Sequence, residues 1–372
     1  MRVRGAVLET TGPQDSFEKA QPIVVSELDL DPPRATELLV RIDAAGVCHS
    51  DLSVVNGSRP RPVPMLLGHE AAGTVISIGA DVDDISVGDR VVTTFLPRCG
   101  RCAACATDGR LPCTVGAAAN ADGILVGGDT RLRRNGSPIA HHLGVSAFAT
   151  HAVIDRRSVV PIDRDVPPEL AAVLGCAVLT GGGAVLNVRP PSPGDTVAVI
   201  GLGGVGVAAL MVARAQPGCR VVGIDTLPDK LATARDLGAD DALTPDQARD
   251  RGLTADVVIE AAGHPRAFET AVAVAGMGAT VVTVGLPDPQ ARAAISPLAV
   301  TSRALSIVGS YLGSAVPSRD IPRYVDLWRA GQLPLERLIS SHIALHDINT
   351  AMDRLARGDE IRQIITFGEP VD

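Results

Sequence analysis

The chain has 372 residues, of which 46% are hydrophobic and only 2% aromatic, and its formal net charge is −8. Its length exceeds the roughly 250–300 residues at which a single core stops growing, so two domains are expected, packed mainly through Val, Leu, Ile and Ala. The acidic balance disfavours a general nucleic-acid partner. Neither a secretory leader nor an uncharged apolar run of about 18 residues is read in the chain, which predicts a cytoplasmic protein with no membrane partner.

Up to about residue 160 the chain reads as short strands broken by Gly and Pro, at 38–44, 73–78, 90–94, 152–154 and 159–162. Many turns and few helical periods favour a twisted or barrel-like β domain. Pro60, Pro62 and Pro64 stiffen the loop ahead of His69, and residues 115–150 read as a long surface excursion. Near residue 178 the pattern changes. Apolar, β-branched runs at 197–200, 220–224, 256–259, 280–284 and 306–308 alternate with helical spacing at 205–215, 228–237 and 265–274. Buried strands alternating with helices predict a doubly wound parallel sheet with right-handed crossovers. Amphipathic helices at 321–330 and 347–357 and a strand at 363–367 complete the chain.

Four of the seven cysteines, Cys99, Cys102, Cys105 and Cys113, form a C-x2-C-x2-C-x7-C run. Such a cluster fits a disulfide knot or a metal cage; in a large chain without an export signal, reduced thiolates on zinc are the better reading. A closed four-sulfur shell is structural. Cys48, His69 and Cys176 are dispersed, and two sulfurs with one imidazole leave a zinc position open to water or substrate. Taken singly, such a cysteine is usually a core residue and such a histidine a hydrogen-bonded one. Cys219 reads as an ordinary buried thiol.

The strand at 197–200 runs into Gly201, Leu202, Gly203, Gly204, Val205 and Gly206, which open a helix. A G-x-G-x-x-G match is weak alone but gains weight in this strand–turn–helix setting. The first glycine permits the turn, the second lets backbone approach a pyrophosphate, and the third packs helix on strand. Asp225 ends the next strand, 22 residues after Gly203. Its carboxylate suits an adenosine ribose and repels a 2′-phosphate, so NAD is expected over NADP. A Gly-rich turn in a non-binding α/β domain is the plain alternative.

In this order the motifs resemble the zinc-dependent medium-chain alcohol dehydrogenases, in the dimeric branch with a long structural-zinc loop. The likeness rests on Gly46-Val47-Cys48-His49-Ser50-Asp51, Gly68-His69-Glu70-Ala71-Ala72-Gly73, the four-cysteine run, Gly175-Cys176, the dinucleotide fingerprint and residues 361–367, and so spans nearly the whole chain. It implies an α/β fold in which a GroES-like β-rich catalytic domain, residues 1–177 and 321–372, carries both zinc sites. A Rossmann coenzyme domain with a doubly wound parallel sheet is inserted at 178–320.

By that resemblance Cys48, His69 and Cys176 hold a catalytic zinc, Glu70 is a carboxylate able to approach it, and Asp51 orients His69. Ser50 starts the proton relay, Thr180 and Val205 hold the nicotinamide ring, and His49, Lys230 and Arg362 meet coenzyme phosphate or ribose. Phe95, His142 and Leu143 match walls of the substrate pocket. The resemblance implies two zinc ions per subunit, a homodimer meeting near 306–308 and Tyr311, and hydride transfer between a primary or aryl alcohol, or its aldehyde, and NAD.

Two departures bear on this. Some members finish the relay with a histidine where this chain has Ser53. The glutathione-dependent formaldehyde branch has acidic residues before its Gly-His-Glu motif and an arginine after the fourth cysteine. This chain has Asn56 to Arg61 and then Thr114 to Ala117, which disfavours glutathione adducts. A formaldehyde dehydrogenase using another thiol, and a non-catalytic nucleotide-binding relative, remain as alternatives. Arg59 and Arg61 read as solvated loop charges, with attraction of an anionic substrate as the rival role.

Overall fold

A computed structural model describes residues 1–367 of the chain. Its packing separates into two units, Met1–Cys176 together with the chain from Leu335 onward, and Ala177–Pro334. The residues 368–372 of the expected catalytic domain lie outside the described residues.

The first unit is β-rich, as a GroES-like domain should be. A closed barrel joins Arg2–Leu8, Ile23–Leu30, Leu132–Arg134, Ser137–His141 and Met65–Leu66. Beside it a seven-stranded sheet runs in the order Val159–Ile162, Arg90–Thr93, Glu70–Ile78, Glu37–Val47, Gln363–Thr366, Ser341–Ile343, with His151–Asp155 also paired to Glu37–Val47. The long strand Glu37–Val47 is thus central. It buries Leu38, Val40 and Ile42 against Val75, Val91, Met352 and Leu355, and almost every contact is aliphatic, as a chain with 2% aromatic residues requires.

Register on this strand positions the site. Gly46 faces Glu70 on one side, and Val47 faces Gln363 on the other. Three distant segments therefore end together: Cys48 just beyond the central strand, His69 just before its neighbour, and Arg362 just before the other. Glycine at 46 leaves room for this carboxylate, because a Cβ would stand 3.0 Å from the Glu70 Cδ and crowd it. Gly175 has a similar role, since its Cβ would lie 2.0 Å from the Thr93 carbonyl oxygen. Its absence lets the helical turn carrying Cys176 settle against the strand Arg90–Thr93.

The second unit carries the expected parallel sheet. Its order is Asp241–Leu243, Arg220–Ile224, Thr196–Ile200, Ala255–Glu260, Ala275–Thr283, Ser306–Gly309, all pairs parallel. The order reverses direction between Thr196–Ile200 and Ala255–Glu260, the switch point at which such sheets bind ligands. Helices Gly204–Arg214, Pro228–Asp236 and Pro265–Val274 begin within a residue of where their spacing places them.

Several expectations need correction. The segment 115–150 is no surface excursion: it supplies the helix Thr114–Asp122 and two barrel strands, and residues 141–149 are all buried. Some of its polar residues are used internally, as when Arg131 grips Glu37 through two hydrogen bonds of 2.7 and 2.8 Å. Residues 168–188 form helical turns long and apolar enough to cross a membrane, contrary to the absence of such a run, but 89% of that apolar window is buried inside the protein. The helix expected at 321–330 runs Pro317–Arg329 and packs in the second unit, where the Tyr324 ring fills the space beside Gly182 and Asp320 accepts from Asn187.

Candidate active site

Cys48 caps the helix His49–Val55, and Asp51 in its first turn accepts from the Cys48 N–H at 3.0 Å. The other oxygen, Oδ1, lies 3.1 Å from His69 Nδ1. One carboxylate therefore fixes the cap that holds one candidate ligand and the ring of another. The free edge of that ring points to sulfur: His69 Nε2 is 3.6 Å from Cys176 Sγ, which is 3.9 Å from Cys48 Sγ. A tetrahedral zinc with bonds of about 2.3 Å to sulfur and 2.0–2.1 Å to nitrogen needs separations of about 3.8 and 3.6 Å. The donor set fits such an ion.

Glu70 stands with this trio, close enough to share a metal, and Arg362 Nη1 is 3.5 Å from its Oε2. Both residues are buried, and Arg362 also donates to the Val47 carbonyl oxygen at 3.0 Å. Neither Glu70 oxygen has a well-aligned hydrogen bond among the described residues. Burial pushes the Glu70 carboxyl up to about 8, with the Arg362 charge opposing it. Burial would push Asp51 the same way, but His69 and His142 beside it hold it well below the usual carboxylate range. The hydrogen bond between the thiols lowers Cys48 and raises Cys176. Two thiols that readily yield one proton suit a site that loses protons when a cation arrives.

The four-cysteine cluster is built differently. Cys102 and Cys105 sulfurs are 3.5 Å apart, and Cys99–Cys105 and Cys102–Cys113 are both 3.9 Å, again the edges of a zinc tetrahedron. Backbone N–H groups of Cys99 and Gly116 donate to Cys113 Sγ at 3.3 and 3.4 Å. The Thr114 and Cys105 N–H groups draw the Cys102 thiol down to about 5. No His or carboxylate joins this cluster among the described residues.

In the second unit, Gly201 has φ of 85°, in the left-handed region that favours glycine, and a Cβ on Gly206 would stand 1.8 Å from the Gly201 carbonyl oxygen. Nothing lies within 4 Å of a Cβ on Gly203, so backbone there is open to a ligand. Asp225 accepts from the Leu202 N–H at 2.7 Å and the Leu227 N–H at 3.0 Å, which presents its carboxylate at the fingerprint turn. Gly204 and Val205 begin the helix, Lys230 is half-buried on the helix Pro228–Asp236, and Thr180 is nearly buried.

Of the remaining expected residues, His49 is exposed and Ser50 half-buried on the helix that Cys48 caps, whereas Ser53 gives its hydroxyl to the His49 carbonyl. Phe95 packs edge-on to His69 with centroids 5.6 Å apart, and Leu143 is buried in a left-handed turn at φ 52°. His142 occupies an unexpected place, with its Nδ1 3.1 Å from the same Asp51 oxygen that His69 uses. The sequence carried no sign of that contact, because nothing in the His141-His142 doublet says which of the two buried rings reaches Asp51.

Comparison with known proteins identifies the family. Residues 34–164 match the alcohol dehydrogenase GroES-like domain, and residues 204–330 the zinc-binding dehydrogenase family. An alcohol dehydrogenase zinc-binding domain protein from Burkholderia ambifaria is 31% identical, with 99% of this chain and 100% of that one aligned at a TM-score of 0.91. Benzyl alcohol dehydrogenase from Acinetobacter calcoaceticus is 27% identical over the same shares at 0.90. A cobalt- and zinc-bound thermostable alcohol dehydrogenase from Pyrobaculum aerophilum is 26% identical, again over 99% and 100%, at 0.79. The chain belongs to the zinc-binding medium-chain alcohol dehydrogenase family, and is an oxidoreductase with a GroES-like and a Rossmann-type domain.

Proposed function

We propose that this enzyme transfers hydride between a primary or aryl alcohol, or the matching aldehyde, and NAD, using one zinc ion at Cys48, His69 and Cys176 and a second at the four cysteines. The observation that carries the reading is the buried trio, whose spacing suits zinc while leaving a position for substrate. Zinc bound there supplies Lewis acidity toward the alcohol oxygen. The residues of this chain do the rest. Asp51 holds His69 in the tautomer that aims Nε2 at the ion. Glu70, kept close to neutral by burial and steadied by Arg362, is placed to approach the ion when ligands exchange. Ser50 hydrogen-bonds the alcohol oxygen and starts the proton relay, and with Ser53 giving its hydroxyl to the His49 carbonyl, water or coenzyme hydroxyls carry the proton outward.

Asp225 supports NAD, because a carboxylate at the end of that strand suits ribose hydroxyls and repels a 2′-phosphate. The likeness to a benzyl alcohol dehydrogenase supports the aryl substrate. A homodimer fits the outer strand Ser306–Gly309, which ends its sheet and carries the exposed Ile307. Soluble small molecules and a cytoplasmic setting complete the proposal.

Absorbance at 340 nm tests it, with zinc-loaded enzyme, NAD or NADP, and benzyl alcohol, short primary alcohols or formaldehyde with candidate thiols. Benzyl alcohol with NAD should give the fastest reduction. A rate with NADP alone, or only with formaldehyde and a thiol, overturns the coenzyme or the substrate assignment.

A further inference from the structure

We propose that His142 is a positioning residue of the metal centre, which shares the Asp51 carboxylate with the ligand His69 and so weakens that ligand's hold on the ion. The inference rests on the metal reading above and goes beyond the pocket-wall role that sequence suggests. Asp51 Oδ1 lies 3.1 Å from His69 Nδ1 and also 3.1 Å from His142 Nδ1. The two rings stand edge to face, 5.3 Å apart at 89°, so both Nδ1 edges converge on one oxygen. All three side chains are at most 1% exposed. His142 Nδ1 has no well-aligned hydrogen bond among the described residues. The χ2 torsion of a histidine is soft, so a small turn of the ring completes the bond to Asp51.

The backbone is arranged to keep the ring there. Ser146 accepts from the His142 N–H at 2.9 Å and donates to the Leu66 carbonyl at 2.8 Å. Leu66 is three residues ahead of His69 and pairs with His141, so one short strand fixes both imidazoles. Leu143 and Ser146 hold left-handed φ values of 52° and 57°, which pinch the turn behind the ring. Non-glycine residues adopt that region only when their surroundings enforce it.

A carboxylate oxygen only accepts, so the His142 Nδ1 that faces it at 3.1 Å carries an N–H. That N–H draws negative charge from the oxygen that polarises His69. With less carboxylate character, Asp51 raises the basicity of His69 less, and His69 neutralises less of the ion's charge.

The test compares the unmodified enzyme with His142→Phe, which keeps a ring but removes the donor, and His142→Asn, which returns a short N–H donor. Zinc is competed with a chelating dye, the four-cysteine ion serving as reference, and visible spectra are recorded after cobalt substitution. The Phe variant should hold the trio's zinc about three- to tenfold more tightly, a smaller change than the roughly 10–100-fold cost of removing a direct partner of a ligand. Its cobalt–thiolate band should shift, the Asn variant should restore both values, and the reference ion should not change. Unaltered zinc competition and cobalt spectrum, with only KM changed, make His142 a pocket wall and overturn the inference. Weaker zinc in both variants reduces it to structural support and overturns it equally. Absence of any zinc at the trio in the unmodified enzyme refutes the metal reading itself, which separates the two failures. A check without substitution uses 15N-histidine spectra of the zinc-loaded enzyme: the His142 ring proton belongs on Nδ1, and finding it on Nε2 overturns the proposal.

Discussion

The two cysteine sites of the first unit use similar sulfur spacings but opposite construction. The four-cysteine site is local: fifteen residues supply every donor, and three of its four cysteines are partly exposed. Backbone N–H groups are its main supports. The other site is drawn from three places, Cys48, His69 and Cys176, all buried, each set at the end of a paired strand or a packed helical turn. It adds a buried carboxylate and an arginine, Glu70 and Arg362. A local cage needs only its own loop, and binding the ion is what gives that loop its shape. A dispersed trio is shaped by the whole sheet before any ion arrives, so it can leave a corner for chemistry without losing its geometry.

The contrast is sharpened first by Cys48→Ala. Turnover with alcohol and coenzyme should fall about 10³-fold or more, the scale of a lost Lewis acid. Zinc content should fall by about one ion, and the unfolding midpoint should scarcely move, because the sheet already fixes the site. A large loss of stability would break the comparison. The converse variant, Cys113→Ser, strikes the cage at its most buried sulfur. It should cost about 3 kcal/mol in denaturant unfolding while the folded fraction keeps its turnover.

The local cage was also the more legible of the two in sequence. Spacing alone exposed Cys99, Cys102, Cys105 and Cys113, and strand–turn–helix context exposed Gly201, Gly203 and Gly206. The parallel sheet was readable because its inner strands, such as Thr196–Ile200, Arg220–Ile224 and Ala255–Glu260, are buried and so appear as apolar runs. The barrel was harder. Arg2–Leu8 and Ile23–Leu30 mix buried and exposed positions, and Leu132–Arg134 is three residues long, too short to show a period. The donor types of Cys48, His69 and Cys176 suggested an open zinc position, but the resemblance was needed to join them, because antiparallel register is not written in any one segment. The pairing of Val47 with Gln363, which sets Arg362 against Glu70, is of that kind, and so is the turn of His142 toward Asp51.

Two smaller effects refine the comparison. His141 sits fully buried behind the dispersed site, accepting the Arg131 N–H at 3.2 Å, and burial with the nearby Arg131 charge pulls it down to about 3. Its folded value lies below the unfolded one, so the stability carried by the neutral ring is full above about pH 6.5 and is lost as pH falls toward 3. Between pH 6.5 and 5 the zinc-loaded enzyme should lose about 2 kcal/mol more than His141→Gln does, measured by urea unfolding at each pH. Equal slopes would show the ring to be solvated. Asp225→Ser should shift the NAD-to-NADP ratio of kcat/KM by about tenfold toward NADP, because the carboxylate no longer repels a 2′-phosphate. An unchanged ratio would move coenzyme choice elsewhere in the fingerprint turn.

The most direct test of the central claim is anomalous diffraction at the zinc edge on crystals of the zinc-loaded enzyme. Two peaks per chain are predicted, one enclosed by the four cysteines and one about 2.3 Å from the sulfurs of Cys48 and Cys176, with His69 Nε2 as its third protein ligand. A single peak at the four cysteines, with Cys48 and Cys176 free of metal, would contradict the account.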